Sequence, residues 1–392
     1  MKVKKKGALC ALLAVVAALG VGVTTAGSVS AAGSPIVIGW AFDSKGAMAP
    51  FDGPALAAAM VRVKQINARG GVQGRPLKII TCDTQGNTPV KAKACALNLL
   101  GQNVNIMFTT CDVDYATPVV QASIDRGLLT IAPCIGTDQM GPKRFGAKGN
   151  LAFSFGNVAQ DEGSAMAQWA YAKGWRTAGT GTNDLLVYFK NVVQAFEVRF
   201  KQLGGKIVAH ENYATGSNNV NAAVSRLNGK KADVYVTATA FGELPGFVVG
   251  LRALGNETPI LNSWAGDGTY WVPKDGITNY YAVTYASAFG DDPNPAVNKL
   301  AKQIKAGTGG FVQGTAAIDG VVTAINRAGG STTGSALAAQ MVKFKKVPTL
   351  SGLVSFSATQ HTVFGRKYRV IRIEGTKERL VGTVTAKVVP KI

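Results

Sequence analysis

Four cysteines, Cys82, Cys95, Cys111 and Cys134, and only two histidines, His210 and His361, carry the most specific chemistry in this chain. A zinc site would need such ligands at close spacing, yet no CxxC occurs and both histidines are remote in sequence. Disulfides are the stronger reading. Cys82, Cys111 and Cys134 each end a predicted strand, and Cys95 lies early in the helix after TQGNTP. Cys82 with Cys95 and Cys111 with Cys134 is therefore the preferred pairing of the three that four cysteines allow. Catalysis has less support. There is no GxSxG elbow, P-loop or HExxH, and GTGTND at 179–184 imitates a dinucleotide loop without its third glycine. No metal or cofactor is expected, and the chain is not read as an enzyme.

Disulfides need an oxidising compartment, and the first residues supply the route to one. MKVKKKGALCALLAVVAALGVGV is a Lys-rich start and an apolar run, and SVSAAG offers small residues where a signal peptidase could cut. Residues 1–32 are read as a secretion signal. The glycines and the Ser/Thr/Ala tail after Gly20 leave the apolar run short for a membrane anchor. Cys10 follows Leu9, where a lipidation site would want Gly or Ala, so no lipid anchor is expected. The mature chain is placed in a periplasm or on the extracellular face. Its formal charge of +20 stays strongly positive without the leader's lysines. Lys and Arg are scattered, with no basic run among aromatics, which argues against nucleic acid as a partner. A general attraction for acidic envelope polymers or anionic solutes is what the charge implies.

The elements that would position a site alternate. IVIGWAF is a short apolar strand, and the helix from Pro54 puts Leu56, Met60, Val63 and Ile66 on one face. Strands LKIIT, NIMFTT and LLTIA follow, separated by helices from Pro89 to Leu100 and from Pro118 to Arg126. After LAFSFGNVAQDEG a second series begins, with strands RTAGTG, KIVAH, DVYVTAT and PILNS between helices at about 160–173, 188–203, 220–227 and 244–254. Strand YAVTYA, helices at about 297–304, 315–328 and 335–342, and strands LVSF and YRVIRI complete the chain. This alternation predicts an α/β fold of two similar lobes, each a mostly parallel open sheet with helices on both faces. The crevice of such a sheet lies beyond the strands' carboxyl ends, here the loops after Trp40, Thr110, Ala132, Gly181, Thr239 and Ser263. Tyr188, Phe241 and Trp264 follow strand ends and are expected to close over a ligand by apolar or cation–π contact, with a buried packing role as the plainer alternative.

The order of motifs is similar to that of a known family. GPALAAAMVRVKQINARGGVQGRPLKIITCDTQG, residues 53–86, resembles the first helix, turn and strand of the branched-chain amino-acid (Leu/Ile/Val) binding proteins of ABC importers, which are type I periplasmic solute-binding proteins. Gln65, Ile66, Asn67, Gly70, Gly71, Val72, Gly74, Leu77 and Asp83 fill that pattern. GLLTIAP, FKQLGGKIV, LRALG and AAIDGVVTAINRAG extend it over nearly all the mature chain. The resemblance implies two lobes joined by three crossings, near Phe155, near Ala286 to Phe289 and near Gly352. It puts residues 33–156 plus 288–351 in the first lobe and 157–287 plus 352–392 in the second. It also implies a monomer that closes on a small polar organic solute, amino-acid or amide-like, and delivers it to an ABC permease. A sensory module serving a receptor, or a binder of aromatic or other non-amino-acid solutes, is the alternative.

Site residues follow from the same resemblance. Asp114, Tyr115 and Ala116 align with a Ser, Gly or Thr run that holds the ligand carboxylate in relatives. The charge of Asp114 would repel a carboxylate, so either the ligand presents a cation or hydroxyls there, or Asp114 only caps the helix before Pro118. Ile135 and Thr137 in APCIGTD match a loop whose backbone and Thr hydroxyl contact the solute. Phe51 takes the place of a pocket aromatic, with core packing as its other reading. Relatives that bind α-amino acids place a Glu near Trp264 to Gly266, where this chain has Ala265 and then Asp267. That departure weakens the case for an α-amino acid.

Overall fold

A computed structural model describes residues 33–392. The segment expected to be a secretion signal, with Cys10, lies outside the described residues. Among those residues, no helix is long and apolar enough to cross a membrane.

The first series comprises β1 (Ile36–Phe42), α1 (Ala49–Asn67), β2 (Leu77–Asp83), α2 (Pro89–Gly101), β3 (Ile106–Phe108), α3 (Val113–Asp125), β4 (Leu129–Ala132), the short α4 (Pro142–Phe145) and β5 (Ala152–Asn157). The second comprises α5 (Ala159–Ala172), β6 (Thr177–Asn183), α6 (Val187–Gln202), β7 (Lys206–Tyr213), α7 (Ser217–Asn228), β8 (Val234–Ala238), α8 (Glu243–Ala253), β9 (Ile260–Asn262) and β10 (Ile277–Thr284). Helices α9 (Pro295–Ile304), α10 (Phe311–Arg327) and α11 (Gly334–Met341) follow. The chain ends with β11 (Val347–Thr349), β12 (Gly352–Val354), β13 (Thr362–Val363), β14 (Lys367–Gly375) and β15 (Lys377–Thr385).

Two sheets result, and each with its helices is a lobe. The first has the order β13-β5-β4-β3-β1-β2 and is parallel throughout. The second runs β15-β14-β10-β9-β8-β6-β7, parallel from β7 to β10, with β14 antiparallel to both β10 and β15. In the first lobe α2 and α3 pack together on one face, while α1 packs against α9 and α10 on the other. The α/β two-lobe architecture expected from the alternation is the one observed.

Several boundaries differ from expectation for local reasons. Helix α1 begins at Ala49, five residues before Pro54, which falls inside it. Proline cannot donate to the carbonyl four residues back, and the freed carbonyl of Pro50 accepts instead from the Thr308 hydroxyl at 3.1 Å. Helix α3 likewise begins at Val113 rather than Pro118, with the Asp112 side chain as its cap. In the turn after α1, Gly71 has φ of 75°, and a Cβ there would lie 2.1 Å from the Arg75 carbonyl oxygen. Only glycine fits that approach.

The chain crosses between sheets after β5, after β10 and between β13 and β14. The crossing expected near Gly352 is misplaced. Residues 352–354 pair with β11, and Thr362 still pairs with Ser154 in the first sheet, so the passage falls at Phe364 to Arg366. A two-residue strand leaves no periodicity to read. The three crossings are bonded to one another: Asn157 N–H donates to the Tyr285 hydroxyl at 3.4 Å, Val158 N–H to the Val363 carbonyl at 2.8 Å, and Arg366 Nη1 to the Phe155 carbonyl at 2.7 Å.

Candidate functional site

In a doubly wound sheet the crevice opens where the strand order reverses. That point lies between β1 and β3 in the first lobe and between β6 and β8 in the second. A cavity of about 20 Å³ is found where the two points face each other. Its wall takes Met48, Phe51, Cys111 and Asp112 from the first lobe and Leu186, Tyr188, Phe241 and Trp264 from the second.

Aromatic rings close it. The Phe51 ring stands edge-on to Trp264 at 4.9 Å and to Phe241 at 6.4 Å, so a residue in the first turn of α1 touches the opposite lobe. Tyr188 sits in the first turn of α6 and packs against Gly136, where a Cβ would come within 2.7 Å of its Cε2. The Tyr188 hydroxyl donates to the Glu162 carboxyl, 2.9 Å from both oxygens, and Glu162 also accepts from the Trp264 amide at 2.6 Å. These bonds fix two wall rings from behind.

Buried acids surround this wall. Burial raises the Glu162 carboxyl to about 8 against the hydrogen bonds from Trp264 and Tyr188 that lower it. Burial raises Asp112 to about 7, assisted by the nearby charge of Asp114. Asp52 is also raised to about 7 by burial, although it accepts from the Asp43 and Cys111 amides. Asp112 caps α3 by accepting from the amides of Asp114 at 2.8 Å and Tyr115 at 3.3 Å.

Of the nine residues expected at the site, Phe51, Tyr188, Phe241 and Trp264 line the cavity and five do not. Asp114 bonds Arg144 Nη1 at 2.8 Å through one oxygen and accepts from the Val187 amide at 2.9 Å through the other. Tyr115 is half-buried beside it, outside the cavity. Ile135 is fully buried in a small apolar cluster with Val113, Val120 and Met140. The Thr137 hydroxyl accepts from the Gln139 amide at 3.3 Å, so only Gly136 between these two residues reaches the wall. Asp267 is buried and accepts from the Thr284 hydroxyl and the Gly309 amide. Each of these five side chains is engaged by other parts of the protein or buried, and none faces the cavity.

Asp112 and Glu162 were missed. Asp112 precedes a helix and reads as an ordinary cap, which it is, while also facing the cavity. Glu162 lies within a helix and carries no local sign of the Tyr188 and Trp264 groups that fold brings to it. The cysteines pair as preferred, Cys82 with Cys95 and Cys111 with Cys134. The second pair ties the loop after β3 to the loop after β4, both at the cavity. Among the described residues, no cluster of His, Cys, Asp or Glu suited to a metal ion is present.

Residues 35–378 match the family described as periplasmic binding protein. The chain belongs to this family. A similar curated periplasmic binding protein is the Leu/Ile/Val-binding protein homolog 3 of Brucella melitensis, 23% identical over 342 residues that cover 86% of this chain and 90% of the relative. Among solved structures, this chain resembles the branched-chain amino acid transporter substrate binding protein LivJ of Streptococcus pneumoniae in complex with isoleucine. The TM-score is 0.76 at 19% identity, covering 90% of this chain and 99% of that one. It also resembles a solute binding protein of an ABC transporter from Rhodopseudomonas palustris BisB5 in complex with 3,4-dihydroxybenzoic acid. There the TM-score is 0.72 at 18% identity, covering 91% and 99%.

Proposed function

We infer that this periplasmic binding protein works outside the cytoplasm as the solute-capturing component of an ABC importer, taking a small organic solute of the amino-acid or amide-like class and presenting it to a membrane permease. One observation carries the reading: the cavity lies at the switch points of both sheets, with Phe51 of one lobe seated against Trp264 of the other. The family, and the isoleucine bound to the similar LivJ protein, support it.

The physics is that of closure. Parting the lobes exposes Phe51, Tyr188, Phe241 and Trp264, and a solute that contacts both walls favours the shut form by its differential affinity. The cavity holds about 20 Å³, so the rings must move apart to admit a solute and repack around it. The bonded crossings at Asn157, Tyr285 and Val363 are the natural pivot, because there the chain passes from one sheet to the other.

A thermal-shift screen over amino acids, amides, aromatic acids and polyols, paired with small-angle scattering, tests this. A binding solute raises the melting point as RT ln(1 + [L]/Kd) and reduces the radius of gyration. A library that leaves both unchanged overturns capture.

A further inference from the structure

Backbone amides at helix starts are the usual partners of a solute carboxylate, because their unsatisfied N–H groups and the positive end of the helix converge there. Around this cavity several of those amides are taken by the protein's own acids. Asp112 takes the amides of Asp114 and Tyr115 at the start of α3, and Asp114 takes Val187 at the start of α6. Glu162 takes the Trp264 amide that opens the turn after β9, and Asp52 takes the Cys111 amide after β3. At the loop after β4, Gly136 is covered by the Tyr188 ring, while the start of α8 beside Phe241 has no side-chain cap.

The charge of the wall points the same way. Asp112 is the one charged residue among those lining the cavity, and no Lys or Arg lines it. Among the described residues, no basic side chain bonds Asp112, since Arg144 is spent on Asp114. A carboxylate entering here would find the Asp114, Tyr115 and Val187 amides already taken and, with Asp112 ionised, a like charge. An ammonium group would meet Asp112 together with the faces of Phe51, Tyr188, Phe241 and Trp264, which attract cations.

We propose that the cleft selects an organic amine: a solute with an ammonium group, an apolar body and no free carboxylate, its charge against Asp112 and its body between the rings. This rests on the capture reading above and keeps the ammonium group of its amino-acid class while dropping the carboxylate.

Matched probes test it by calorimetry and thermal shift on the mature chain. Leucine is compared with isoamylamine and isovalerate, and phenylalanine with 2-phenylethylamine and phenylacetate. An amine is expected to bind at least about tenfold more tightly than its amino acid or acid. Asp112→Asn, which retains the helix cap, is expected to lose at least about tenfold of the amine affinity. Should that variant fail to fold, the wild-type ratio of amine to acid decides alone. Tighter binding of the acid or amino acid, unchanged amine affinity in a folded Asp112→Asn, or binding of a neutral or anionic library member without any amine overturns the proposal and leaves capture standing. Failure of all six probes and of the wider library to bind or compact the protein overturns capture, and the proposal with it.

Discussion

The carboxylate of Asp114, in the first lobe, accepts a hydrogen bond from the backbone N–H of Val187, in the second, at 2.9 Å. Its other oxygen holds Arg144 at 2.8 Å. A side chain expected to touch solute therefore latches the lobes, bridging the start of α6 to an arginine of the first lobe. Asp114→Ala removes a contact made only when the lobes are shut. A hydrogen bond to a charged acceptor contributes roughly 1.5 kcal/mol net, about tenfold in the closed-to-open ratio. Scattering should show a larger ligand-free radius of gyration, and solute affinity should fall by about the same factor.

Gly136 offers a complementary test. An added methyl at this position meets the Tyr188 ring, which Glu162 holds in place. Gly136→Ala should weaken solute binding by about tenfold or more. The ligand-free melting point should move little, because the clash exists only when the lobes shut. Unchanged affinity would show that Tyr188 yields freely.

The buried acids set a pH dependence whose sign is unusual for a protein rich in carboxylates. Burial raises Asp52, Asp112 and Asp267 to about 7, Glu162 to about 8 and Asp161 to about 6. Between the ordinary carboxylate range and these values the folded chain binds more protons than the unfolded one, so stability falls as pH rises through that window. His361 opposes this: burial lowers it from 6.5, so stability drops as pH falls below that value. Asp83 and Asp233 are held low by hydrogen bonds that outweigh their partial burial, and they lose their contribution only in stronger acid. The melting point should therefore be highest at about pH 4.5 and fall toward about pH 8.5. A flat or rising profile across that range would contradict it.

The two disulfides should separate in their effects. Each closes a short loop, with partners 13 and 23 residues apart, and each removal costs about 3 kcal/mol by loop entropy. Only Cys111–Cys134 joins two loops at the cavity. Replacing that pair by alanine should lower both the melting point and solute affinity, whereas replacing Cys82 and Cys95 should lower the melting point alone.

Much of the scaffold was legible because parallel strands buried on both faces read as apolar runs, as LKIIT and DVYVTAT do, and because Gly70 and Gly71 punctuate a helix end. The hairpin strand β15 was not, since KERLVGTVT mixes charges and a glycine at a sheet edge. Strand β5 was missed between turn residues. At the site, Tyr188, Phe241 and Trp264 were readable from their place after strand ends, and Phe51 from the family resemblance. The acids were not, because what distinguishes Asp114, Asp112 and Glu162 is which amide each one holds, and those amides lie up to about a hundred residues away, as Glu162 and Trp264 do.

The late return of β13 to the first sheet has a consequence for how the molecule assembles. That sheet lacks its last member until residue 363 is available, and the second lacks its closing hairpin until residue 385. Both sheets are therefore completed only near the end of the chain, and a chain ended at Gly352 would lack β13 from one sheet and β14 with β15 from the other.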